Sequence, residues 1–90
     1  MPKKIMIEVI ESRGHGCDQG FKLGDTFELK EHTHSFCSNA YNSIFPVAQV
    51  LRYGGRFPWE PEKGVEIMGC PDPYNTVVFK ITAVEEDAAD

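Results

Sequence analysis

Apolar and polar residues alternate over residues 4–11. Ile5, Ile7 and Val9 share one face, and Lys4 and Glu8 share the other. This predicts a first strand. Met6 and Ile10 break the alternation, so its second face is expected to be partly covered. The stretch Thr26 to Lys30 predicts a second, short strand, entered through a turn at Gly24-Asp25. From Cys37-Ser38 the period lengthens. Ala40, Ile44, Val47 and Leu51 fall on one stripe, flanked by Tyr41, Phe45 and Ala48, which is the spacing of a helix. Gly54-Gly55 supplies its stop, and Arg52 in the last turn suits the helix dipole. Pro46 lies inside this stripe. A proline there removes one hydrogen bond and costs about 3 kcal/mol unless compensated. The stripe keeps its phase across Pro46, which predicts one kinked helix rather than two.

The period of two returns at Val65 to Gly69, with Val65 and Ile67 on one face, and again at Thr76 to Val84. Cys70-Pro-Asp-Pro-Tyr-Asn between them reads as a tight turn capped by the Asp72 side chain, so 65–84 is a predicted hairpin. Arg56 to Gly64, broken by glycine and proline, reads as a structured loop folded onto the core through Phe57 and Trp59. Glu60-Pro-Glu62 within it reads as solvated. The pattern therefore gives an α+β domain: a small antiparallel sheet of about four strands with one kinked helix packed on a face. Whether the sheet curls towards a barrel, and its strand order, stay open.

Ninety residues accommodate one domain. We place it at 1–84, with 85–90 as an acidic, disordered tail. A chain this short buries roughly 60–65% of its unfolded surface, so its core is thin and a metal, a disulfide or self-association would help it. The formal net charge of −5 is concentrated in that tail, where Glu85, Glu86, Asp87 and Asp90 lie. Ten acids and nine bases remain elsewhere. No Lys/Arg cluster exceeds Lys3-Lys4, which excludes the electrostatic footprint of a nucleic-acid binder. No apolar run is long enough to cross a membrane. Lys3-Lys4 before Ile5-Met6-Ile7 imitates a signal peptide, but Glu8 and Glu11 interrupt it and no small-residue cleavage site follows. The expectation is a cytoplasmic protein that binds neither nucleic acid nor membrane.

The candidate chemistry rests on Cys17, Cys37 and Cys70. An odd count argues against a complete secreted-type disulfide framework. Thiolates bind zinc or iron–sulfur clusters, usually with four ligands, and His15, His32 or His34 could supply the fourth. The spacings of 19 and 32 intervening residues include no close Cys-x-x-Cys pair, and buried inert thiols are the ordinary alternative. Cys37, at the predicted helix start, is the best nucleophile, because a helix N-terminus favours the thiolate. His34 could serve as its base, although no third group completes a triad. His32 and His34 would share one side of an extended segment, as a metal edge or as a solvated loop. Gly14-His-Gly-Cys and Gly54-Gly-Arg56 lack the spacing of a phosphate-binding loop. Arg52, Tyr53, Arg56, Phe57 and Trp59 mix bases with aromatics, which without a basic field reads as core packing with a surface rim. Paired carboxylates for acid–base catalysis are not evident.

Five segments carry a resemblance. They are the N-terminal strand; Cys17 with Phe21-Lys-Leu-Gly-Asp-Thr-Phe27; Phe36-Cys37; Phe45-Pro46 through Leu51-Arg-Tyr-Gly-Gly-Arg-Phe-Pro-Trp-Glu60; and Cys70-Pro-Asp-Pro with Val78-Phe79. Together they resemble a family of small, uncharacterised, cysteine-containing single-domain proteins typical of anaerobic bacteria and archaea. The resemblance implies a cysteine at each of 17, 37 and 70, often with a proline after the second, where this chain has Ser38. It lends no activity, and the cofactor stays unknown. The leading expectation is a non-catalytic accessory or binding module, with a protein partner or homo-oligomer and a metal on Cys17, Cys37 and Cys70. A thiol-based redox or enzymatic protein centred on Cys37 and a purely structural, self-associating domain are the alternatives.

Overall fold

The computed structural model describes residues 3–14, 20–30 and 38–84. Among these residues, four strands and one helix run in the order β1 (Lys4–Ser12), β2 (Thr26–Glu28), α1 (Ser38–Arg52), β3 (Val65–Gly69) and β4 (Val77–Val84). The sheet is antiparallel with strand order β2-β1-β4-β3. Among the described residues it is open, with β2 and β3 as its edges, and does not close into a barrel. The α+β architecture is the one the hydrophobic pattern predicts.

One face of the sheet makes the core. Ile5, Ile7 and Val9 of β1 and Val77, Phe79 and Ile81 of β4 are fully buried there. The register places Ile7 opposite Ile81 on one side and opposite Phe27 on the other. Phe21 closes this layer edge-on, with ring centroids 5.4 Å from Phe27 and 5.5 Å from Phe79. The other face carries Met6, Glu8, Val78, Lys80 and Thr82 and is only partly buried. The pairing register shifts between Val9 and Glu11, a bulge at Ile10. This is why Ile10 breaks the alternation in the sequence.

Helix α1 covers the core face through Ala40, Ile44, Ala48 and Leu51. Ala48 therefore takes the central place that the spacing assigns to Val47, which is half-buried. Helical twist accounts for the change, since Ala40, Ile44 and Ala48 recur at strict i, i+4 spacing. One helix runs through Pro46. Both Pro46 and Asn42 are exposed, so water can take the Asn42 carbonyl that the proline cannot serve. The helix ends in a Schellman arrangement: Gly54 N–H donates to Leu51 O at 3.1 Å and Gly55 N–H to Val50 O at 2.7 Å. Gly54 has a φ of 87°, and a Cβ on Gly55 would lie 2.5 Å from Val50 Cγ1. The two glycines are the stop that the sequence predicts.

The helix axis fixes the two ends of the molecule. At one end, Lys3 N–H donates to Arg52 O at 2.7 Å. At the other, Ser43 Oγ donates to Gly69 O at 3.0 Å. Ser43 of α1 thus lies over Gly69, while Tyr41, nearer the helix start, donates its hydroxyl to Lys30 O beyond β2 at 3.2 Å, and the helix finishes beside Lys3. No helix among the described residues is long and apolar enough to cross a membrane. Cys17, Cys37, the three histidines and the acidic segment 85–90 lie outside the described residues.

Candidate functional site

At the Gly69 end, Cys70 follows β3 directly. Its N–H donates to Val77 O at 2.9 Å, and its Sγ accepts the Val77 N–H at 3.3 Å. The sulfur thus occupies the place a backbone carbonyl would take in the continuing ladder. The side chain is half-buried and packs against the core. The turn beyond it is organised by Asp72, whose Oδ1 accepts the N–H groups of Tyr74 (2.9 Å) and Asn75 (3.1 Å). The bonds from Asn75 and Tyr74 favour the charged carboxylate and hold its pKa below the usual aspartate value. Asp72 caps the turn, as predicted.

Two further segments close on this turn. Arg13 N–H donates to Thr76 O at 2.9 Å. Gly14, at a φ of 67°, lies so near the turn that a Cβ would sit 2.3 Å from Tyr74 O and 2.4 Å from Asn75 Oδ1. Only glycine fits both the backbone angle and the space. Gly14 stands three residues before Cys17 in the chain, and Cys37 stands immediately before α1. The described segments that adjoin Cys17 and Cys70 therefore meet at one end of the sheet, where Ser43 of α1 also reaches Gly69 O. Cys17 and Cys37 themselves lie outside the described residues. Among the described residues, no group of three or more His, Cys, Asp or Glu side chains could hold a metal ion.

The opposite end is built on Arg52, which is 6% exposed. Its Nη2 donates to Leu29 O and its Nε to Gln49 Oε1, each at 2.7 Å. Arg52 lies in the last turn of α1, as expected, and its buried side chain also ties α1 to the end of β2. Beyond the helix, Glu60 braces the 56–64 loop: Oε2 accepts Phe57 N–H at 2.7 Å and Oε1 accepts Gly64 N–H at 2.9 Å. These bonds, with the Arg56 charge nearby, lower the Glu60 pKa below the usual glutamate value. This corrects the reading of Glu60 as part of a solvated stretch. A carboxylate reaching across its own loop leaves no periodic trace in a sequence.

The aromatics of this loop divide. Phe57 is half-buried against the core, whereas Trp59 is 65% exposed and Tyr53 61% exposed. Trp59 does not fold onto the core as expected. It leans on Phe57, with ring centroids 5.1 Å apart and planes tilted by 31°. The braced loop holds the indole out towards water.

No family model, curated protein or solved structure matches this chain.

Proposed function

We propose that this protein is a small, non-catalytic accessory module that holds a metal through Cys17, Cys37 and Cys70 and binds a protein partner. The observation carrying this reading is the meeting of the segments that adjoin Cys17 and Cys70 at the Gly69 end, with Gly14 seated on the 74–75 turn that follows Cys70, while Ser43 of the helix that follows Cys37 is bonded to Gly69 O. Three soft thiolates select zinc or an iron–sulfur cluster, and one of His15, His32 or His34 would complete the usual four ligands. The amide donated to Cys70 Sγ is the kind of bond that steadies a metal-bound thiolate. Elsewhere, the polar groups that stand out energetically serve the backbone: Glu60 and Asp72 receive amides, and Arg52 serves a carbonyl. The exposed Trp59 on its braced loop supplies an aromatic anchor of the type that dominates protein interfaces. On this reading the protein works in the reducing cytoplasm, away from nucleic acid and membrane, and belongs with the small cysteine-containing proteins it resembles.

Native mass spectrometry of protein purified without oxygen or chelator tests this. The expected result is a mass excess matching zinc or an iron–sulfur cluster, lost in Cys17→Ser, Cys37→Ser or Cys70→Ser. A metal-free mass with three free thiols overturns the metal reading and leaves a plain interaction domain.

A further inference from the structure

Among the described residues strand β3 is an edge of the sheet, and edges invite pairing with another chain. In its pairing with β4, Gly64 and Cys70 exchange backbone bonds with β4 residues through Ala83 N–H to Gly64 O and Cys70 N–H to Val77 O. Antiparallel alternation then turns the even-numbered residues of β3 towards β4 and the odd-numbered ones, Val65, Ile67 and Gly69, outward. Three of the outward groups are occupied from within the chain. Val65 N–H donates to Glu62 O at 3.0 Å, and Gly69 O accepts Ser43 Oγ at 3.0 Å. At the middle of the strand, Ile67 N–H donates to Glu66 Oε1 at 3.0 Å.

Glu66 is the unusual member of this set. It lies opposite Ile81 on the core face and is only 5% exposed. Its neighbour on that face is Met68, and an apolar side chain would suit the position better, because a buried carboxylate loses hydration. One hydrogen bond to the adjacent amide is poor compensation for stability. An inward-pointing charge on an edge strand is, however, a known way to prevent edge pairing. We propose that Glu66 is an edge guard: its carboxylate occupies the Ile67 amide and keeps β3 from pairing with β3 of a second copy of this chain. The exposed Ile67 and the adjoining Val65 on the other face would otherwise extend the sheet across such a pair.

Size-exclusion chromatography with light scattering on wild type, Glu66→Gln and Glu66→Leu, over a range of concentrations, tests the guard. Wild type and Glu66→Gln, which keeps an acceptor oxygen, should run at the mass of one chain, 10.1 kDa. Glu66→Leu should move towards twice that mass as concentration rises. A Glu66→Leu protein that stays at one chain throughout overturns the proposal, as does a wild type already paired through β3. Amide hydrogen exchange on the wild-type chain decides the matter if the leucine variant does not fold. The Ile67 amide should exchange about fivefold more slowly than an unbonded amide in the same sequence, the effect of one ordinary hydrogen bond. Exchange at the unbonded rate overturns the guard.

Discussion

The two ends of the sheet are closed by opposite means. At the Lys3 end a buried guanidinium does the work: Arg52 joins α1 to the end of β2 and receives Lys3 N–H on its carbonyl. At the Gly69 end the contact depends on what is missing, since Gly14 has no side chain and the 74–75 turn fills its place. Each end also carries a carboxylate spent on amides, Glu60 at the first and Asp72 at the second. The Lys3 end is thus held by a long side chain in a fixed position. The Gly69 end is held by close backbone approach.

Substitution at Arg52 should break this contrast most strongly. Arg52→Ala strands the buried Leu29 carbonyl and removes the stem packed beneath it. The expected loss is about 2–3 kcal/mol of unfolding free energy in urea titration. An unchanged midpoint would mean that the guanidinium bond does not close that end. Gly14→Ala comes next, with a loss of about 1–3 kcal/mol from overlap with Tyr74 and Asn75 added to a strained φ. Gly24→Ala is its control. Gly24 also has a positive φ, 91°, but nothing lies within 4 Å of its Cβ position, so about 1 kcal/mol of strain is all it should lose. Equal losses at 14 and 24 would show that the close approach contributes nothing.

The carboxylates sharpen the comparison through pH. Both have folded pKa values below their ordinary ones, so the unfolded chain binds more protons in acid than the folded chain does. Their contribution is complete above the ordinary carboxylate range and is lost as pH falls through the depressed values. The fall begins near pH 4.5 for Glu60 and near 3.8 for Asp72. Glu60→Gln should flatten the upper part of the acid limb in thermal melts, and Asp72→Asn the lower part. An acid limb unaltered by both variants would remove these groups from the account. Trp59→Ala should have the smallest effect on stability, within about 0.5 kcal/mol, because the indole is mostly in water. A loss near that of Arg52→Ala would instead make Trp59 part of the core.

Most of the fold was legible in local pattern. Period two located the four strands to within two residues, and the 3.6-residue stripe with Gly54-Gly55 located α1 from Ser38 to Arg52. The roles of Arg52, Glu60 and Trp59 were not legible. Each depends on what surrounds the side chain in space: a carbonyl from β2 for Arg52, two amides of its own loop for Glu60, and a neighbouring Phe57 in place of the core for Trp59. The cysteines show the same division. Their number and their position at element boundaries can be read along the chain, whereas the approach of Gly14 to the Cys70 turn cannot.

By itself the amino-acid sequence determined which segments become strands and helix, because hydrophobic periodicity and glycine stops act within a few residues. It also determined that Asp72 caps its turn, an interaction between residues two and three apart. Only the tertiary structure decided the order β2-β1-β4-β3, the burial of Arg52 and Glu66, and the approach of Gly14 to the turn after Cys70. The physical reason is range. Pairing order and burial are set by contacts between residues tens of positions apart, and these form only once the core face has chosen its partners.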